Sequence, residues 1–233
     1  MPSFSHPALA CTRLEILPMI HELSRHNSIF NRYLKDIRDE EVQKDRVHFR
    51  RNLERMGEIM AYEISKTFPY QPEFVTTPLG EAEVSLPTVN PVICTILRAG
   101  LPMHQGFLNV FDDADAAFAA AYRRHHKGGD FEIEVDYTSC PNLDGRVLII
   151  TDVMLATGAS LEKVYKQLLR KGTPVQTHIV SIISTDFGTN HLRSVMPDNT
   201  VYWTGAMDKE LTAQAFIVPG LGDAGDLAYG RKD

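Results

Sequence analysis

The stretch from Val147 to Ser184 constrains the fold of this 233-residue chain more than any other. An uninterrupted apolar run, Val147 to Thr151, leads to Leu161, Val164, Tyr165, Leu168 and Leu169, a set closed by Lys171-Gly172; a second apolar run, His178 to Ser184, follows. A run that is apolar at every position suits a strand covered on both faces. The i, i+3, i+4, i+7, i+8 spacing between the runs suits an amphipathic helix with a glycine stop. Strand, helix and strand in this order make a βαβ unit. Pro91 to Leu97 is a third buried run, and further strands are predicted at Ala117–Tyr122 and Thr200–Thr204. The segment from about Pro91 to Thr204 therefore reads as an α/β fold, a parallel twisted sheet flanked by helices on both faces.

The rest of the chain is organised around that unit. Leu53, Met56, Met60 and Ile64 recur at helical spacing after Phe49, and the pattern ends before Pro69. The opposite face carries Arg46, Arg50, Arg51 and Arg55, read as a solvated flank. The first 70 residues read as helical. Phe74-Val75-Thr76-Thr77, the turn Pro78-Leu79-Gly80 and the alternating Ala82, Val84 and Leu86 predict a hairpin over 71–90. With 43% hydrophobic and 23% charged residues the chain has the composition of a folded, soluble protein with one continuous core. No apolar run approaches the roughly 18 residues of a membrane span, and the N-terminus lacks the pattern of a secretory signal. Three cysteines, Cys11, Cys94 and Cys140, are widely spaced with no CxxC pair, which points to a reducing cytoplasm and away from a zinc site. Cys94, inside an apolar run, reads as a core residue. The net charge of −6 argues against a nucleic-acid partner.

Ligands of such sheets bind outside the carboxyl ends of the strands. There the run Val147–Thr151 delivers Asp152, and the turn Met154 to Ser160 leads into the N-terminus of the Leu161 helix. Gly158 permits close backbone approach, first-turn N–H groups face an anion, and the Thr157 and Ser160 hydroxyls add donors. That is a phosphate cradle, although Thr157 or Ser160 also reads as a plain helix cap. Asp152 would repel a phosphate and suits ribose hydroxyls. Neither G-x-x-x-x-G-K-[ST] nor G-x-G-x-x-G is present. Arg98 follows seven uncharged residues at a strand end, a costly place for an incidental charge. Arg123 ends another strand, where Arg124, His125, His126 or Lys127 could serve instead. The alternating run Phe131 to Tyr137 reads as belonging to a mobile hairpin lid over Arg124–Pro141.

These residues carry a resemblance. TDVMLATGAS resembles the phosphoribosyl-pyrophosphate (PRPP) loop of type I phosphoribosyltransferases, in the D-P-M-L-A-T-G-G-S version of the uracil enzymes. ILRAGLPM (Ile96–Met103) resembles their I-L-R-A-G-L-G-M segment, FIVPGLGDAGDLAYG (Phe216–Gly230) their uracil-binding Y-I-V-P-G-L-G-D-A-G-D-x-x-F-G segment, and FRRNLERMGEIMAYE, less closely, their helix ending in Y-E. The resemblance implies the type I phosphoribosyltransferase fold with a small hood and a β-hairpin lid. It further implies one domain over 1–233: a helical N-terminal segment over 1–70, a hairpin 71–90, a core sheet 91–204 and a base-binding segment 205–233.

The implied reaction is transfer of the phosphoribosyl group from PRPP to uracil N1, giving UMP and pyrophosphate for pyrimidine salvage. PRPP would contact Asp152, Val153, Met154, Leu155, Ala156, Thr157, Gly158, Ala159 and Ser160, with Arg98 and Arg123 on the pyrophosphate. Ile217, Gly222 and Ala224 would offer main-chain contacts to uracil; Asp223, in the same uracil-binding set, would reach the PRPP side or its associated metal and water; and Arg98, Arg123, Asp152 and Asp223 would form the catalytic set. Magnesium is the implied cofactor, held through PRPP and not by direct side-chain ligation. Homodimers or higher homo-oligomers and a GTP effector also follow from the resemblance. Val153 stands where the family has proline, Ala159 and Pro102 where it has glycine, and Tyr229-Gly230-Arg231-Lys232 where it has F-G-T-K. A regulator that binds PRPP or UMP without turnover, and a transferase for another base, remain open at this level.

Overall fold

The apolar runs become neighbours in one seven-stranded sheet of a computed structural model, which describes residues 20–125 and 131–232. In chain order the elements begin with β1 (Ile20–Glu22), α1 (Phe30–Arg38) and α2 (Arg46–Ser65), followed by the hairpin β2 (Tyr70–Thr77) and β3 (Gly80–Pro87). Next come β4 (Val92–Leu97), α3 (Leu101–Leu108), β5 (Asp115–His125), β6 (Phe131–Ser139), β7 (Val147–Leu155) and α4 (Ala159–Leu168). The chain closes with β8 (Gln176–Thr185), α5 (Asp186–Val195), β9 (Val201–Asp208), the short pair β10 (Glu210–Leu211) and β11 (Ile217–Val218), and α6 (Ala224–Tyr229).

The strand order is β1-β9-β8-β7-β4-β5-β6, parallel throughout except for β6, which runs antiparallel to β5. The continuous apolar strands are explained by the two cores they serve. On one face Ile93, Ile149, Val180 and Ile182 pack with Phe49, Leu53, Met56 and Met60 of α2 and Met103 and Phe107 of α3. On the other, Cys94, Ile96, Leu148, Ile150 and Ile179 pack with Leu161, Val164 and Leu168 of α4 and Leu192 of α5. Successive residues of a strand point to opposite faces, so a strand between two helical layers has no polar side. Among the described residues no helix is long and apolar enough to cross a membrane.

Two readings of the sequence are corrected. The segment before Phe49 is not wholly helical, because β1 pairs with β9 through Ile20↔Tyr202, His21↔Trp203 and Glu22↔Thr204. Three residues are too few to show a period, and only the long-range pairing makes them a strand. The sheet thus reaches from Ile20 to Asp208, wider than 91–204. β7 does not stop at Thr151 but continues to Leu155, pairing with β8 as far as Leu155↔Ser184. The alternating run at Phe131–Tyr137 forms the hairpin read for it, pairing with β5 as an edge strand of the main sheet. The tip of that hairpin, 126–130, lies outside the described residues, as do Cys11 and the rest of the first 19 residues.

Candidate active site

β4 and β7 lie side by side, yet the chain leaves β4 toward β5 and leaves β7 toward β8. This reversal opens a crevice at the carboxyl ends of the two strands. The loop after β4 lies against β7 there: a Cβ placed on Gly100 would lie 3.4 Å from the Thr151 carbonyl oxygen.

The loop after β7 is short, Ala156 to Gly158, because the strand runs on. Gly158 is the N-cap of α4, in the left-handed region at φ +81°, so neither Thr157 nor Ser160 caps the helix. Thr157 Oγ1 instead accepts weakly from Ala159 N at 3.4 Å. The first bond back across the turn is Glu162 N to Gly158 O, 2.9 Å. The amides before it are those any helix leaves without a carbonyl of its own, which suits them to an anion. Val153 and Leu155 are buried, whereas Asp152, Met154, Ala156, Thr157, Ala159 and Ser160 retain some exposure.

Asp152 is half-buried within β7, and burial pushes its carboxyl up to about 7 against the backbone N–H groups of Val153 and Met154, which favour the charged form. Proline at the position of Val153 would lack one of those donors. Near pH 7 the free carboxyl is therefore balanced between its two states.

The loop is held from behind by the next helix, a support the sequence reading missed. Thr185 at the end of β8 donates from Oγ1 to Ala156 O, 2.6 Å, and accepts from Gly188 N, 2.9 Å. A Cβ on Gly188 would stand 2.3 Å from the Ala156 oxygen, and one on Gly158 would stand 2.9 Å from the Gly188 oxygen. His191 Nε2 and Glu162 Oε2, 2.7 Å apart, tie α5 to α4 one turn further on. The available signal was Thr185 closing a buried run with glycine three residues on, a cap at the carboxyl edge.

Arg98 follows β4 across a cis Leu97–Arg98 peptide. Its guanidinium donates to Asp226 Oδ1 at 3.0 Å and to the Gly230 carbonyl at 3.3 Å, so the crevice loop and the C-terminal segment are joined directly. Arg50 of α2 reaches the same segment, donating to Ala228 O at 2.7 Å with its guanidinium 5.9 Å from the Tyr229 ring. The solvated-flank reading therefore fails for Arg50. It fails also for Arg55, which donates to Asn52 Oδ1 and lies over the Tyr33 ring, and holds for Arg51, an exposed partner of Glu54. Arg50 is spaced like its neighbours, and only the return of the C-terminus to α2, which also sets Gly230 beside the Arg46 guanidinium, distinguishes the two from Arg51.

In that segment Asp223 caps α6, its Oδ1 accepting from Asp226 N at 3.0 Å. Ile217 and Ala224 are buried and Gly222 has φ +95°. Pro102 occupies the first turn of α3, where a missing N–H costs no helical bond. Arg123 sits on β5 opposite Ile133; its side chain and those of Arg124 and His125 lie outside the described residues, as do His126 and Lys127 altogether. Cys94 is buried and its thiol pushed up by desolvation, which suits the core role read for it. A hollow of about 310 Å³ beside β10 and β11 is lined by Met207, Asp208, Lys209, Glu210, Val218 and Pro219. Another, of about 520 Å³, lies by Asn190, Arg193 and Tyr202, at the amino end of β9 and away from the crevice. Among the described residues no group of three or more His, Cys, Asp or Glu side chains is arranged to hold a metal ion.

Comparison with known proteins gives consistent results. The uracil phosphoribosyltransferase family model matches residues 25–231. The uracil phosphoribosyltransferase of Porphyromonas gingivalis is 52% identical over 216 residues, 93% of this chain and 100% of its own length. That of Pyrobaculum arsenaticum is 41% identical over 186 residues, 78% of this chain and 86% of its own. Among solved structures, the AQ2163 protein from Aquifex aeolicus matches with a TM-score of 0.80 at 27% identity, covering 91% of this chain and 98% of that one.

Proposed function

The chain belongs to the uracil phosphoribosyltransferase family, and from that premise we propose how its crevice carries out the reaction. It is an enzyme that transfers the phosphoribosyl group of PRPP to uracil, giving UMP and pyrophosphate. In our reading the 5-phosphate rests on the loop from Ala156 to Ser160, and Asp152 accepts from the ribose hydroxyls. Arg98 and Arg123 draw charge from the pyrophosphate, and main-chain groups of Ile217, Gly222 and Ala224 read the uracil edge. The observation that carries the reading is the pair of bonds from Arg98 to Asp226 and Gly230, because it joins the residue we assign to the pyrophosphate to the segment we assign to the base.

The bond from the anomeric carbon to pyrophosphate breaks as the bond to uracil N1 forms with inversion, and the N1 proton leaves to the pyrophosphate or to water. The transition state resembles an oxocarbenium ion, so no nucleophilic side chain is needed. Alignment of the two substrates and cationic charge on the leaving group supply the catalysis. A backbone N–H directed at uracil O4 would reject cytosine, which carries an amine there.

Magnesium fits this site as a hard cation with oxygen donors, bound mainly by the substrate's own pyrophosphate and water. Asp223, whose Oδ1 already accepts from Asp226 N, would meet the ion through water, and the ion would add charge stabilisation at the leaving group. Purified protein given uracil, PRPP and Mg²⁺ is expected to form UMP, to lose that activity in excess EDTA and to regain it with added Mg²⁺. Cytosine, hypoxanthine and orotate serve as parallel substrates. Turnover with one of them in preference to uracil would overturn the base assignment, and turnover unchanged by EDTA would remove the metal. The same assay with added GTP tests the effector.

We also propose a homo-oligomer in which the β2–β3 hairpin packs on a second copy. The support is an arm exposed along nearly its whole length, with Phe74 71% and Leu79 99% accessible. Tyr70, Phe74, Leu79, Val84 and Leu86 are all exposed on this one arm, and apolar side chains gathered in this way mark an interaction surface where single ones do not. Phe74→Ser combined with Leu79→Ser is expected to halve the mass measured by light scattering, or shift it toward the monomer, without unfolding the chain. An unchanged mass would place the interface elsewhere. A cytoplasmic setting is our reading of the three widely spaced cysteines.

A further inference from the structure

The turn Val218 to Gly222 begins after Ile217 and ends on Gly222, two of the residues proposed to meet uracil, and it has little regular structure of its own. It follows a two-residue strand and a cis Val218–Pro219 peptide. A turn of this kind keeps its shape only if its backbone polar groups find fixed partners. Gly220 finds both. Its N–H donates to Asp208 Oδ2 at 2.9 Å, and its carbonyl accepts from Arg38 Nη1 at 2.9 Å. Arg38 and Asp208 are themselves joined as a fork, Nη1 to Oδ2 and Nη2 to Oδ1, each 2.8 Å. The four bonds close a ring that joins the last residue of α1, the last residue of β9 and the turn.

The ring is inside the protein. Asp208 is 7% accessible and Arg38 22%. Arg38 cannot retreat, because the preceding turns of α1 bury Phe30, Leu34 and Ile37 in the core. Asp208 cannot either, because β9 is paired with β8 up to Thr185↔Asp208. Gln43 adds a second tie: with its amide nitrogen facing them, it donates to Ile37 O at 3.2 Å and to Leu221 O at 2.8 Å. Two consecutive residues of the turn are thus bonded to the segment around the end of α1. Only arginine offers a planar fork to a carboxylate with a further N–H left for a carbonyl.

We infer that Arg38 and Asp208 are positioning residues of the base site, setting the Val218–Gly222 turn and thereby uracil affinity and selectivity, with no part in PRPP binding. The inference rests on the assignment of Ile217 and Gly222 to uracil proposed above. It gives the N-terminal helix a role in the reaction without contact to either substrate.

The test compares Arg38→Met, Arg38→Lys and Asp208→Asn with the parent chain. Arg38→Met is expected to raise KM for uracil about 10- to 100-fold, the range for small misplacements of a binding group. KM for PRPP should stay within about twofold, and the preference for uracil over cytosine should fall about tenfold. Arg38→Lys keeps the charge but not the fork and should fall between. Equal rises in both KM values, or unchanged constants in a folded variant, would overturn the inference. Hydrogen exchange of the ligand-free proteins gives a readout independent of turnover. Amides of 217–222 should exchange at least about tenfold faster in the variants, while those of 152–160 keep their rates. Uniform acceleration, or none, would also overturn it. If the parent chain formed no UMP, the proposed reaction would fail while exchange still decided whether the ring holds the turn. If Arg38→Met did not fold, the two milder substitutions would carry the same comparison.

Discussion

Asp152→Asn is expected to lower kcat/KM for PRPP on the order of ten- to a hundredfold, and to make the ligand-free protein more heat-stable at pH 8. The first effect follows from the role proposed for the carboxylate. An ionised oxygen accepting from a ribose hydroxyl forms a charge-assisted bond worth about 1.5–3 kcal/mol, and the amide keeps one neutral acceptor while turning a donor toward the sugar. The second follows from burial, which raises the carboxyl from 3.8 to about 7. Below pH 3.8 both folded and unfolded chains hold the proton, and the group costs nothing. As pH rises the unfolded chain releases it first, so stability falls until about pH 7 and then stays level. The deficit is at most about 4 kcal/mol, less whatever solvent reaches the half-buried group. Each kcal/mol moves Tm by about 2–4 °C in a chain of this size. The melting temperature of the variant relative to the parent should therefore be near zero at pH 4 and several degrees positive at pH 8. In the parent, KM for PRPP should fall about tenfold per pH unit toward pH 7 and then flatten, since the ionised form binds. An inactive variant with no pH-dependent gain in Tm would mean that the carboxyl is not desolvated, and an active one would remove it from the ribose.

The crevice was legible in the sequence where its components are contiguous. The apolar runs announce the sheet because a strand between helical layers has no polar face, and the glycine loop after β7 is read from the helix pattern that follows it. The position of Asp152 was read less well: β7 continues to Leu155, and the residues after Thr151 show no apolar run only because Asp152 interrupts it. Contacts made by chain return were not legible at all. Arg50 meets Ala228 across 178 residues and Arg38 meets Asp208 across 170, and no local pattern distinguishes these arginines from solvated ones. Their partners are fixed by topology, which sets the ends of α1 and α2 beside the segment after β9. β1 is the same case in the backbone, a strand only because β9 has an open edge.

Gly188→Ala should be the second substitution of large effect, and the sign of its outcome is informative. Gly188 is in the first turn of α5, an ordinary helical position, where alanine is intrinsically better by about 1 kcal/mol. On local grounds the change would stabilise the protein. The packing says the opposite, because the added methyl would stand 2.3 Å from the Ala156 carbonyl oxygen and 2.9 Å from its carbon, both backbone atoms that cannot rotate away. Either α5 or the phosphate loop must yield. Forcing a methyl into a filled contact costs about 1–3 kcal/mol, and a loop shifted by about 1 Å loses on the order of a hundredfold in the step it serves. KM for PRPP should thus rise about a hundredfold and Tm fall by several degrees, while the Arg38–Asp208 ring and the turn it holds are unaffected. Thr185→Val separates steric from polar support, since it keeps the shape but removes the hydroxyl that donates to Ala156 O and accepts from Gly188 N. It should weaken PRPP binding less than Gly188→Ala does, and Thr185→Ser should restore most of it. If Gly188→Ala raised Tm and left KM unchanged, helix propensity would have prevailed, and α5 would be a bystander to the phosphate loop.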